Sequence, residues 1–340
     1  MAAKKRINWA RWPEERLLDL RLCDLGVRLE GTWLEARIEK LQADLESRDI
    51  RIRPHFWISE EWFSPDGVTG IAIPFYLTHP RLMRLERKHI LEVEGGTSTG
   101  CMKLLRHEMG HVVDHAYQLH RRRRWQHTFG RSSQRYPDSY QPNPASRRYV
   151  VHLDHWYAQA HPDEDFAETF AVWLTPGSRW RSRYSGWPAL KKLEYVDEAM
   201  AEIAGRKPIV RNRFKVDSIS RLRKTLGEYY QEKRARYRSV TTNVYDGDLV
   251  RLFRGAKRGN NDPASTFLRR NRVKIRRMVA RSTGERALAL DTVLTEMIDR
   301  CRELKLRASG SQRQLLVDLA ILLAARSVEY TYRRKDWHAI

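Results

Sequence analysis

The residues best equipped for chemistry lie in 107-HEMGHVVDHAY-117. On a helix, residues four apart share a face, so His107 and His111 can present two imidazole nitrogens to one ion. Glu108, one position round, borders that face and can reach a water held by the ion. Zinc lowers the pKa of bound water to about 7, and a carboxylate beside it takes the proton as hydroxide attacks a carbonyl. This is the logic of the HExxH pattern. With 12 histidines in 340 residues, the bare pattern arises by chance in on the order of a few per cent of such chains, so the reading depends on a third ligand.

A catalytic zinc takes three protein ligands and keeps a fourth position open. The third ligand is best sought in 161-HPDEDFAETFAVWL-174, where Glu164 and Glu168 are four apart among Phe166, Phe170, Val172 and Leu174. One carboxylate can bind the ion while the other accepts from the free ring N–H of a first-helix histidine. Left unpaired, two carboxylates on so apolar a helix would be costly to bury. Competing donors are Asp165, about 100° round the helix from Glu164, and His152, His155 and His161 in the chain before it. Asp114, three past His111, either accepts from a metal-bound histidine or caps a surface. Gly110 inside a helix costs about 1 kcal/mol against alanine, which points to close packing near the ion.

These residues need elements to position them. Apolar spacing over 13–49 predicts two helices broken near Gly26 and Gly31, and 50-IRIRPHFWIS-59 and 70-GIAIPFYL-77, separated by 64-SPDG-67, read as paired strands. The second run is either an edge strand open to an extended peptide or an ordinary buried strand. Helical periodicity resumes over 91–120, with Thr97 or Ser98 as N-cap, and the histidine pattern lies in its body. Residues 119–156 read as irregular, and 121-RRRRW-125 there could clamp an acidic substrate, stack on a nucleobase, or be a solvated loop. Pro162 suits a first helical turn and 175-TPGS-178 a stop. A helix around 188–205 follows. The expected domains are 1–205, an α+β catalytic region, and 206–340, with helices over 217–238, 265–283, 286–306 and 311–332 and a strand only near 239-SVTTNVY-245.

Composition sets the surroundings. The net charge is +22, and residues 206–340 hold 33 Lys+Arg against 14 Asp+Glu, so the basic character belongs to the C-terminal region. Such a field attracts an acidic peptide, nucleic acid or an acidic surface. No stretch is long and apolar enough for a membrane span, and the first residues have no apolar core of a secretion signal. Three scattered cysteines, Cys23, Cys101 and Cys301, argue against a disulfide framework and fit a cytoplasmic setting.

HEMGHVVDHAY followed by HPDEDFAETFAVWL resembles the gluzincin group of zinc metallopeptidases, in particular the bacterial zinc-binding metallopeptidases with an HPxEDFAET run. It is also similar to the catalytic domain of anthrax lethal factor, with its HExGHxxD stretch and then YxxxxxxExxxE, matched here by Tyr157, Glu164 and Glu168. The resemblance covers roughly residues 95–175. It implies a zincin-like metallopeptidase domain that hydrolyses peptide bonds with one catalytic zinc (Zn2+) held by His107, His111 and Glu164. It further implies Glu108 as general base, Glu168 supporting a ligand from behind, and Tyr157 donating to the oxyanion; Asp114 is the further candidate for support. The cysteine-rich zinc ribbon of some relatives is missing, and nothing in the resemblance speaks for residues 206–340. From another class, the chain could be a nucleic-acid-binding protein using that basic region, with a structural or vestigial zinc.

Overall fold

The structure, a computed structural model, describes residues 8–137, 140, 142–236, 245–253 and 262–333. They form two compact units, one of residues up to Glu86 with Val93–Glu228, the other of Arg87–Glu92 with the described residues from Tyr229 onward. Most elements are helical, and a two-stranded parallel sheet makes the class α+β. Among the described residues no helix is long and apolar enough to cross a membrane.

The first unit runs α1 (Glu14–Leu18), α2 (Glu35–Glu46), β1 (His55–Ser59), β2 (Gly70–Pro74), α3 (Pro80–Ile90), α4 (Ser98–Tyr117), α5 (Arg123–Phe129), α6 (Pro162–Leu174), α7 (Trp180–Arg183) and α8 (Ala189–Ile203). The last residues of α3 belong to the second unit. β1 and β2 pair in parallel from His55 opposite Gly70 to Ser59 opposite Pro74. Every residue of β2 is buried, and on its other side the Ala72 amide donates to Phe63 O at 2.9 Å. β2 is therefore an enclosed strand, which removes the open-edge alternative at its centre.

α4 is the axis of this unit. Thr97 caps it by accepting from the Gly100 amide at 3.1 Å, and Leu105, Met109, Val112, Val113 and Ala116 give it a fully buried stripe. Arg106 ties it to α2 through a buried pair with Asp44 at 2.7 Å. α6 packs along it, with Pro162 in its first turn and its chain leaving the helix at Thr175. The contact is close at Gly110, where a Cβ would stand 2.7 Å from Ala167 Cα. Only a residue without a side chain fits there.

Several stretches of the first unit depart from the sequence reading, among them α3, which was not foreseen. The arginine run opens α5 rather than a loop: Trp125 and Phe129, four apart, pack on Phe166, while Arg122 and Arg124 pair with Glu202 and Glu198 of α8 at 2.8 and 2.6 Å. The first unit also continues past Gly205. Ile209 and Val210 amides cap the free carbonyl of Ala116 at 2.9 and 3.0 Å, and Val216 O accepts from Trp57 Nε1 at 2.7 Å, so residues 206–228 are tied to α4 and β1.

The second unit comprises most of α9 (Leu226–Ala235), then α10 (Asp246–Leu252), α11 (Ala264–Thr283), α12 (Ala287–Glu303) and α13 (Gln312–Arg333). Its core includes Leu249, Phe253, Leu268, Leu290, Leu294 and Leu319. The helix expected over 217–238 is confined to α9, and α10 was not foreseen. Residues 239–244 of the expected strand lie outside the described residues, and Tyr245 stands at the N-terminal boundary of α10.

Candidate metal centre

Helical spacing on α4 points His107 and His111 at α6, which returns Glu164 to meet them. His107 Nε2 lies 3.1 Å from Glu164 Oε2, His111 Nε2 lies 3.3 Å from the same oxygen, and the two imidazole nitrogens are 3.3 Å apart. Donors held about 2.0–2.1 Å from a tetrahedral zinc stand about 3.3–3.4 Å from one another, so the spacing fits that ion. Among the described residues this is the one group of three or more such side chains whose donor atoms converge in this way.

The donor chemistry agrees with the spacing. His107 Nδ1–H donates to Glu168 Oε1 at 2.9 Å, which fixes the ring so that Nε2 faces the cluster. Glu168 Oε2 accepts from the Leu153 amide at 2.8 Å. Glu164 Oε2 is buried and meets the two imidazole nitrogens, and the buried Glu108 Oε2 has no hydrogen-bond partner. Buried polar atoms turned on one another in this way are what a cation would satisfy. Burial works against charge on Glu164, yet the two imidazoles hold its carboxylate well below the ordinary range. Burial likewise opposes charge on His107, but Glu164 and Glu168 raise it well above its usual value. At Glu108 burial prevails and the carboxyl is raised, the imidazoles offsetting only part of it.

Tyr157 stands with its ring tilted over His107, centroids 5.6 Å apart. His155 and Trp156 just before it adopt left-handed backbone, φ 61° and 52°, and Tyr140 Oη–H donates to His155 O at 3.0 Å. Burial, then the Glu164 charge, raise the Tyr157 phenol well above its ordinary value, which keeps it a proton donor.

Three of the competing donors, Asp165, His161 and His152, are turned elsewhere. Asp165 meets Lys192 at 2.5 Å. His161 caps α6 by accepting from the Asp163 amide at 3.2 Å and donates to Gln134 O at 3.0 Å. His152 Nε2 donates to Lys103 O at 3.0 Å. Asp114 does not support His111: its Oδ2 accepts from His120 Nδ1 at 2.7 Å, and its Oδ1 has no partner. The cause is the left-handed Gln118, φ 53°, which reverses the chain after α4 and brings His120 back. The sequence reading also missed Tyr136, whose hydroxyl donates to Glu164 Oε1 at 3.1 Å. It lies 28 residues before Glu164, in a stretch with no periodicity to flag it.

Residues 95–178, which carry both ligand helices and the chain between them, match the model of a family described as "Putative zinc-binding metallo-peptidase". That segment contains every residue of the converging cluster. No curated protein and no solved structure matches the chain.

Proposed function

We propose that the chain is a zinc-dependent peptidase of the HExxH-plus-glutamate type, with one ion held by His107, His111 and Glu164. The observation that carries this reading is the convergence of three donors, His107 and Glu164 buried and His111 nearly so, at mutual distances of 3.1–3.3 Å, with an unpaired Glu108 oxygen beside them. A zinc ion bound there would supply Lewis acidity and a water acidified to a pKa of about 7.

The chain's own groups do the rest. Glu108, whose burial raises its proton affinity, takes the proton of the attacking water and returns it to the leaving amine. Tyr157, held protonated, donates to the oxyanion that forms on the scissile carbonyl. Glu168 fixes the His107 ring and its tautomer. The basic charge favours an acidic peptide or protein substrate, and three free cysteines fit a reducing, cytoplasmic setting.

The test compares zinc content and hydrolysis of a mixed peptide library for wild type, Glu108→Gln and Glu164→Ala. Full zinc without turnover is expected for the first variant, and loss of zinc for the second. Turnover surviving in Glu108→Gln would sink the mechanism, and stoichiometric zinc in Glu164→Ala would sink the ligand set.

A further inference from the structure

Glu164 has two carboxylate oxygens and only one of them faces the histidines. Oε2 lies against His107 and His111, while Oε1 accepts from Tyr136. Tyr136 reaches this position on a strap that crosses the start of α6. The strap begins at Gly130, whose φ is +115° and whose added Cβ would stand 3.1 Å from Pro162 Cγ. It continues through Gln134, whose carbonyl accepts from His161 Nε2 at 3.0 Å. It ends with the Tyr136 ring stacked on the His161 ring, centroids 3.8 Å apart and planes 15° apart. The N-cap and first residue of the ligand helix, His161 and Pro162, thus hold the strap down, and the hydroxyl reaches the ligand within the same first turn. Tyr136 as a residue is 39% exposed, yet its hydroxyl is engaged by the buried ligand carboxylate.

We propose that Tyr136 is a positioning residue for Glu164, one that sets how the carboxylate binds the ion. The proposal rests on the zinc-site reading above. A carboxylate with both oxygens free can rotate so that Oε2 no longer faces the two imidazoles, which weakens its hold on the ion. With Oε1 engaged by a phenol, only Oε2 is presented, and the rotation is blocked. Tyr136 and Tyr157 then divide the work: one governs how the ion is held, the other what happens to substrate.

The experiment measures zinc affinity of the full chain by competition with a chromogenic chelator, for wild type, Tyr136→Phe, Tyr136→Leu and Tyr157→Phe. Thermal unfolding of each metal-free protein is followed alongside. Tyr136→Phe keeps the ring on His161 and loses only the hydroxyl; zinc affinity is expected to fall about 10–100-fold, the effect of removing a partner of a metal ligand, with unchanged metal-free unfolding. Tyr136→Leu should fall no further than a few-fold below that, and Tyr157→Phe should bind zinc as wild type does. If Tyr136→Phe binds zinc like wild type while Tyr136→Leu is weakened, the ring stack and not the hydroxyl matters, and the proposal is overturned. A wild-type chain that folds yet binds no zinc overturns this proposal and the site reading together. Zinc binding without peptide hydrolysis overturns the peptidase reading alone, because the Tyr136 comparison is read on affinity.

Discussion

His107 Nδ1 and Glu168 Oε1 are 2.9 Å apart across 61 residues of sequence, and the second oxygen of the same carboxylate takes the Leu153 amide at 2.8 Å. One buried side chain therefore satisfies two donors, a task that needs both oxygens as acceptors.

Glu168→Gln should break that arrangement while keeping its shape. An amide offers one acceptor oxygen, so either His107 or Leu153 loses its partner. Zinc affinity is expected to fall about 10–100-fold, read by chelator competition on the full chain. Wild-type affinity in this variant would show that the His107 ring does not depend on the carboxylate.

Gly110→Ala places a methyl where Ala167 Cα would stand 2.7 Å away. Backbone cannot swing aside as a side chain can. The overpacking should cost about 1–3 kcal/mol, exceeding the roughly 1 kcal/mol that alanine gains in a helix. Urea unfolding of the metal-free protein should show a lower midpoint at unchanged slope, and a midpoint equal to or above wild type would refute the close contact.

His120 is raised above its ordinary value, chiefly by the hydrogen bond to Asp114. A histidine raised in the folded state stabilises fully below its unfolded value near 6.5, and that contribution fades as pH rises through the folded value. Removing the imidazole with His120→Gln should therefore cost more at pH 6 than at pH 9. Denaturant unfolding at both pH values, in the presence of chelator, checks this. A larger gap at pH 9 would reverse the assignment.

The two ligand helices were legible because their signals are local. The i, i+4 histidines, the i, i+4 glutamates, the Thr97 cap and Pro162 in the first turn all sit within one element, and the chain folds them as the pattern predicts. What was not legible depends on chain reversal. Asp114 finds His120 because Gln118 turns left-handed, and no glycine marks that turn. Tyr136 finds Glu164 through a strap fixed at Gly130, Gln134 and His161, three anchors scattered through sequence that reads as loop. α5 was hidden for a different reason. Trp125 and Phe129 carry its apolar spacing, but four consecutive arginines around its start read as solvated chain until Glu198 and Glu202 are placed opposite two of them. The extent of the first unit escaped composition because residues 206–228 are basic yet are tied down by backbone carbonyls, which composition does not register.

Gly110 against Ala167 has a consequence for ion choice. Two backbones resting on each other act as a gauge block, setting the opening between His107, His111 and Glu164 before any side chain chooses a rotamer. An ion such as calcium, which takes six or more oxygen ligands at about 2.3–2.6 Å, would need the helices prised apart and their buried faces wetted. On the proposed ligand set, selection by ionic size follows from the spacing of two helices, and it would persist through any change in the loops around them that left this contact intact.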